Sequence, residues 1–135
     1  MRLPIVPLVL LFTASPLVAQ RMSRPVPFTA YAPNSVAGSY QIVTRGARHW
    51  IRLSDDFETR GAPDAIIYLT VGGVVDSTAL EVAEIKDIGG GVFPIPDGTN
   101  ISLYDTIIIW SNAHGEALAR ARLRRTRPRA TTLKR

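Results

Sequence analysis

Between residues 38 and 125 the apolar side chains come in short runs, several alternating with polar ones at a period of two, and each run is cut off by glycine or proline. Such a pattern predicts strands joined by turns. The first run covers 39–44. The second covers 48–53 and places His49, Ile51 and Leu53 on one face, with Arg48, Trp50 and Arg52 on the other. A third, 65–71, lies between the turn Arg60-Gly61-Ala62-Pro63-Asp64 and the pair Gly72-Gly73. Runs at 80–86, 91–95 and 106–110 follow, the fifth bounded by Gly89-Gly90 and by Pro96-Asp97-Gly98. The branched series Ile107-Ile108-Ile109 with Trp110 predicts a strand covered on both faces. Residues 116–125 contain good helix formers, yet Ala117, Ala119, Ala121 and Leu123 alternate with Leu118, Arg120, Arg122 and Arg124, which predicts a closing strand. The reading is all-β: a small antiparallel β-sandwich of about seven or eight strands.

The flanks read differently. Residues 1–19 have a positive start at Arg2, an apolar stretch over 3–12, and small residues leading to Val18-Ala19. That layout predicts a signal peptide cleaved after Ala19 and an exported protein, periplasmic or secreted. The stretch is too short to span a bilayer, so no transmembrane span is expected in the mature chain. Residues 20–37 carry Pro25, Pro27 and Pro33 among small polar residues and read as a Pro-rich linker. The core domain is expected over 38–125, followed at 126–135 by a disordered basic tail containing Pro128 and no apolar period.

Charge sharpens this division. The formal charge is +5, but between residues 21 and 119 seven basic residues face all eleven acidic ones, a net of −4. From Arg120 onward there are eight basic residues and no acid. The basic character belongs to a tail rather than to a binding face on the fold. Such a tail suits an anionic surface, and it lacks the aromatic side chains with which specific nucleic-acid binders stack on bases. Cysteine is absent, which removes disulfides, thiolate metal sites, thiol nucleophiles and the acylated cysteine of a lipoprotein.

Six short segments in order carry a family likeness: Leu53-Ser54-Asp55-Asp56-Phe57, Gly61-Ala62-Pro63-Asp64, Ile67-Tyr68-Leu69, Gly90-Gly91-Val92-Phe93-Pro94-Ile95-Pro96, Ile108-Ile109-Trp110 and Ala121-Arg122-Leu123. Together they resemble the DM-thirteen domain, the Skeletor-type electron-transfer domain. The resemblance implies a small β-sandwich on exported or cell-surface proteins, often beside cytochrome-like domains. It also implies a proposed electron-transfer cysteine directly after the isoleucine-tryptophan pair. Here that position is Ser111, whose hydroxyl cannot enter thiol redox chemistry.

Trp110, Ser111 and His114 form the candidate pocket. Ser111 with His114 lacks a Gly-x-Ser-x-Gly elbow and an orienting carboxylate, so serine hydrolysis has little support and no catalytic residue is assigned. His49 and His114 are the only histidines; a zinc or copper site would need both with carboxylates or Met22. No metal and no cofactor is implied. Asp55, Asp56 and Asp64, with Glu58, are weak candidates for a cation loop, but they lack EF-hand spacing and read more simply as a solvated turn. The resulting expectation is an exported, non-catalytic binding module whose partner is an envelope protein or a small ligand. The alternative is a redox module in which a bound cofactor or metal replaces the thiol.

Overall fold

The computed structural model describes residues 19–123 except 34, 61, 63, 87 and 88, together with residues 2 and 4. Most of the expected signal peptide and the whole of the expected tail at 126–135 lie outside the described residues. Twelve strands appear among those described: β1 (Gln20–Met22), β2 (Val26–Pro27), β3 (Thr29–Ala30), β4 (Val36–Ala37), β5 (Ser39–Arg45), β6 (Arg48–Leu53), β7 (Glu58–Thr59), β8 (Ala65–Thr70), β9 (Leu80–Ile85), β10 (Gly91–Pro94), β11 (Thr106–Ser111) and β12 (Glu116–Arg122). The seven runs read from the sequence are the seven strands of four residues or more. The other five are pieces of two or three residues.

Every strand pairing is antiparallel. One sheet runs β1-β5-β6-β10, with β2 also paired to β5; the other runs β3-β12-β11-β8-β9; β4 and β7 form a separate ribbon. Alternation decides what each sheet turns inward. Tyr40, Ile51 and Leu53 from the first sheet join Ile67, Leu69, Ile107, Ile109, Ala119 and Ala121 from the second in one buried cluster. Cross-strand register sets small against large: Ile109 pairs with Ala119 and Ile107 with Ala121. The Tyr40 hydroxyl donates to the Arg122 carbonyl and ties β5 to β12.

Ile108 faces the other way, in register with Tyr68 and Arg120, and it is as fully buried as Ile107 and Ile109. The central strand is therefore covered on both faces, as its branched run predicts. The closing strand also forms, with Ala119, Ala121 and Leu123 buried and Arg120 and Arg122 exposed. It ends at Arg122 and carries a register shift opposite Ile109 and Trp110.

The expected linker is where the structure differs. Val26 pairs with Tyr40, Thr29 with Arg120, and Val36 with Thr59, so this segment contributes to both sheets and to the ribbon. Val26, Phe28 and Val36 are buried. Pro27 is compatible with this because its strand is only two residues long and lies off the main path of the sheet, where a missing N–H is tolerated. Phe28 packs against Tyr40 and Phe57 at ring separations of 5.8 Å and 5.7 Å. The segment then turns at Gly38, whose φ of 105° is forbidden to other L residues, and where a Cβ would lie 2.7 Å from the Phe57 Cα.

Among the described residues no helix is long and apolar enough to cross a membrane.

Candidate functional site

Adjacent residues of a strand point to opposite faces, and this separates the residues that the sequence grouped after the isoleucine run. Ser111 closes β11, pairs with Ala65 and Glu116, and is fully buried. Its Oγ accepts a hydrogen bond of 3.2 Å from the backbone N–H of His114. The hydroxyl thus caps the turn between β11 and β12, and its partner is the His114 backbone rather than the imidazole. Trp110 lies on the outer face, half-buried, in register with Ile66 and Ala117. His114 is exposed on the turn. The three do not line one pocket.

Of that trio, His114 lines a groove among the described residues. A groove of about 320 Å³ is lined by Tyr31, Ser35, Arg60, His114, Glu116 and Leu118, among others. Three separate stretches build it, and backbone bonds hold them in place. The Tyr31 N–H donates to the Leu118 carbonyl at 3.0 Å, and the Arg60 N–H to the Ser35 carbonyl at 2.9 Å. The Arg120 guanidinium lies over the Tyr31 ring, 5.7 Å from its centre, a cation–π contact that steadies one wall. Arg60 also approaches Glu58 at 3.5 Å, its own side chain largely in solvent and that of Glu58 partly buried. The groove offers a guanidinium, a carboxylate, an imidazole and a phenol beside Ala32, Ala62, Ala117 and Leu118. Ser111 is joined to that lining by the bond from the His114 N–H and by its pairing with Glu116.

The remaining candidates stay apart. Asp55, Asp56 and Asp64 are exposed, and among the described residues no three His, Asp or Glu side chains come together to hold a metal. His49 stands on β6 with its Nδ1 2.9 Å from the Thr44 hydroxyl. Met22 is on the outer face of the first sheet, 3.9 Å from an Arg52 nitrogen, beside a shallow concavity of about 410 Å³ that also takes in Trp50 and Arg45. Two groups away from the groove have displaced acidities. Burial, with Glu81 nearby, raises the Tyr68 phenol, and hydrogen bonds from Thr78 lower the Asp76 carboxyl.

Tyr31, Ser35, Arg60 and Glu116 escaped sequence reasoning. They meet only through pairings between distant stretches: Tyr31 and Ser35 read as part of a linker, Arg60 as part of a turn and Glu116 as the start of a strand.

These features define a compact, wholly antiparallel two-sheet module with a small polar residue buried at the end of its central strand. The family described as Electron transfer DM13 matches residues 27–123. The chain belongs to that family. The match begins inside the Pro-rich segment, in keeping with the pairing of β2, β3 and β4 described above. No curated protein and no solved structure matches significantly.

Proposed function

We propose that this protein is an exported, non-catalytic binding module of the electron-transfer family, with the thiol route to redox chemistry given up. The observation that carries this reading is Ser111. It occupies the position where the family resemblance places a cysteine, it is fully buried, and its oxygen is committed to the turn that borders the groove. In place of a redox centre the groove presents Arg60 and Glu116, groups of opposite charge, beside Tyr31 and His114. That arrangement suits a small zwitterionic ligand or a short segment of an envelope partner, its carboxylate meeting Arg60 and its ammonium group Glu116.

Titration with amino acids and dipeptides, followed by NMR, tests the groove. Shifts are expected to gather at Tyr31, Arg60 and His114, and Arg60→Ala is expected to weaken binding by roughly tenfold or more, the scale of a lost charge-assisted hydrogen bond. Unchanged affinity in that variant, or shifts confined to another face, would sink the groove reading. Voltammetry of the same sample is expected to show no reversible couple. A reversible couple, or a coloured bound group, favours the alternative of a cofactor-carrying redox module.

Export has its own expected result. The apolar stretch and Val18-Ala19 place cleavage after Ala19, so the intact mass of the protein from the cell envelope or medium should correspond to a chain beginning at Gln20. An envelope form retaining residues 1–19 would contradict it.

A further inference from the structure

The outer face of the first sheet sorts its side chains into rows. Alternation sends Tyr40, Ile51 and Leu53 into the core and their strand neighbours outward. Register then sets Met22, Val43 and Trp50 side by side across β1, β5 and β6. Two residues along in one direction stands Arg45, opposite Gln20. Two residues along in the other stands Arg52, opposite Val92 of β10. An apolar row therefore lies between two rows that each carry a guanidinium. Val43 is 7% exposed although it faces away from the cluster between the sheets, whereas Met22 and Val92 are 46% and 56% exposed.

Charge is segregated as well. The net of −4 over residues 21–119 conceals a sheet whose strands β1, β5, β6 and β10 contain no Asp or Glu. Arg48, at a corner of the face, is paired with Asp97 at 3.1 Å. Among the described residues neither Arg45 nor Arg52 has a carboxylate within ion-pair distance. Neutral groups hold Arg52 instead: its Nη1 donates to the Gln41 Oε1 at 3.4 Å and lies 3.9 Å from the Met22 Sδ. Both guanidinium groups border the shallow concavity of about 410 Å³, which shares no lining residue with the groove.

We propose that this face receives an extended acidic segment of a partner protein. One apolar side chain of the segment rests on Met22, Val43 and Trp50, and carboxylates two residues to either side reach Arg45 and Arg52. Spacing and charge select this occupant together. An extended chain presents the side chains of one face every two residues, about 6.6 Å apart, and the same repeat separates the rows. The pattern read by the face is therefore acid-x-apolar-x-acid. Each guanidinium is free of a carboxylate of its own and gains a charge-assisted hydrogen bond from the segment. A polyuronate would meet the arginines but leave Met22 and Val92 in water.

NMR titration of the chain beginning at Gln20 with the end-blocked peptide Ser-Glu-Thr-Leu-Thr-Glu-Ser tests this. Shifts are expected at Met22, Arg45, Arg52, Val92 and the Trp50 indole N–H, and affinity is expected to fall as salt is raised. Arg45→Gln and Arg52→Gln should each weaken binding by about threefold or more. Val92→Asp should weaken it by about tenfold while leaving circular dichroism unchanged, since the side chain is exposed. The proposal is overturned if the peptide shifts none of these residues, or if a peptide of the same composition with its two Glu adjacent binds as tightly. It is equally overturned if Val92→Asp binds like the parent, the mark of a generic polyanion site that polygalacturonate would fill as well.

Discussion

Phe57→Ala is expected to destabilise the fold by about 3 to 5 kcal/mol, the usual scale for emptying a buried aromatic site. The side chain is 1% exposed, although it lies outside any strand, between β6 and β7. Its loss is felt by three stretches at once. The ring meets Phe28 edge-on, and the backbone bonds to Ser54 and Gly89, which the substitution leaves in place, hold the emptied site open between three stretches. Gly38 approaches the Phe57 Cα too closely for any side chain of its own, so the backbone has little freedom to move inward and fill the space. Denaturant unfolding of the domain measures the effect, read as a shift in midpoint at constant slope. Phe57→Leu keeps much of the volume and should lose less than half as much. If the alanine variant loses below about 1 kcal/mol, Phe57 is not the staple that holds residues 26–38 to the sandwich.

Ile108→Ala should cost about 2 to 5 kcal/mol, and its value lies in which face it interrogates. Ile107 and Ile109 point into the cluster between the sheets, whereas Ile108 points out, and a conventional half-buried strand would leave it partly in water. It is instead fully buried, in a rank with Tyr68 and Arg120 and next to the rank of Ile66, Trp110 and Ala117. A loss in the stated range means that this outer layer behaves as core. A loss near that of an exposed position, within about 0.5 kcal/mol, would mean that this outer face opens readily. Comparison with Ile109→Ala controls for chemistry, because both sites are fully buried isoleucines of one strand on opposite faces.

Strand formation was readable where a whole strand carries its own signal. The alternation over 48–53 and 116–122, and the glycine and proline punctuation between runs, predict seven strands that all appear. The resemblance carried by six short segments agrees with the family that the chain belongs to. The Pro-rich stretch was misread because its prolines are real strand breakers in general, whereas here Pro25 and Pro33 fall between short pieces and Pro27 ends a strand too short to need a full ladder. Val26 and Phe28, apolar at a spacing of two, were the signal available. The site was less readable for a different reason. Ser111 could be located by sequence order, but its burial and its bond to the His114 backbone depend on the turn that follows. Tyr31, Arg60 and Glu116 meet only once β3 has joined β12 and Arg60 has joined Ser35, and no local pattern encodes such meetings. The carboxylates at Asp55, Asp56 and Asp64 are exposed.

The pairing of β3 with β12 also sets a timetable. Thr29 and Ala30 find their partners only when Arg120 and Ala119 are present, and Tyr40 meets the Arg122 carbonyl across a separation of 82 residues. A chain delivered from its amino end therefore cannot complete either the second sheet or the link between sheets until almost the whole domain has emerged. Closing such long loops is entropically costly and slow, so folding belongs to the class that takes milliseconds to seconds rather than microseconds. Such a delay leaves the chain open along most of its length until its last strand arrives.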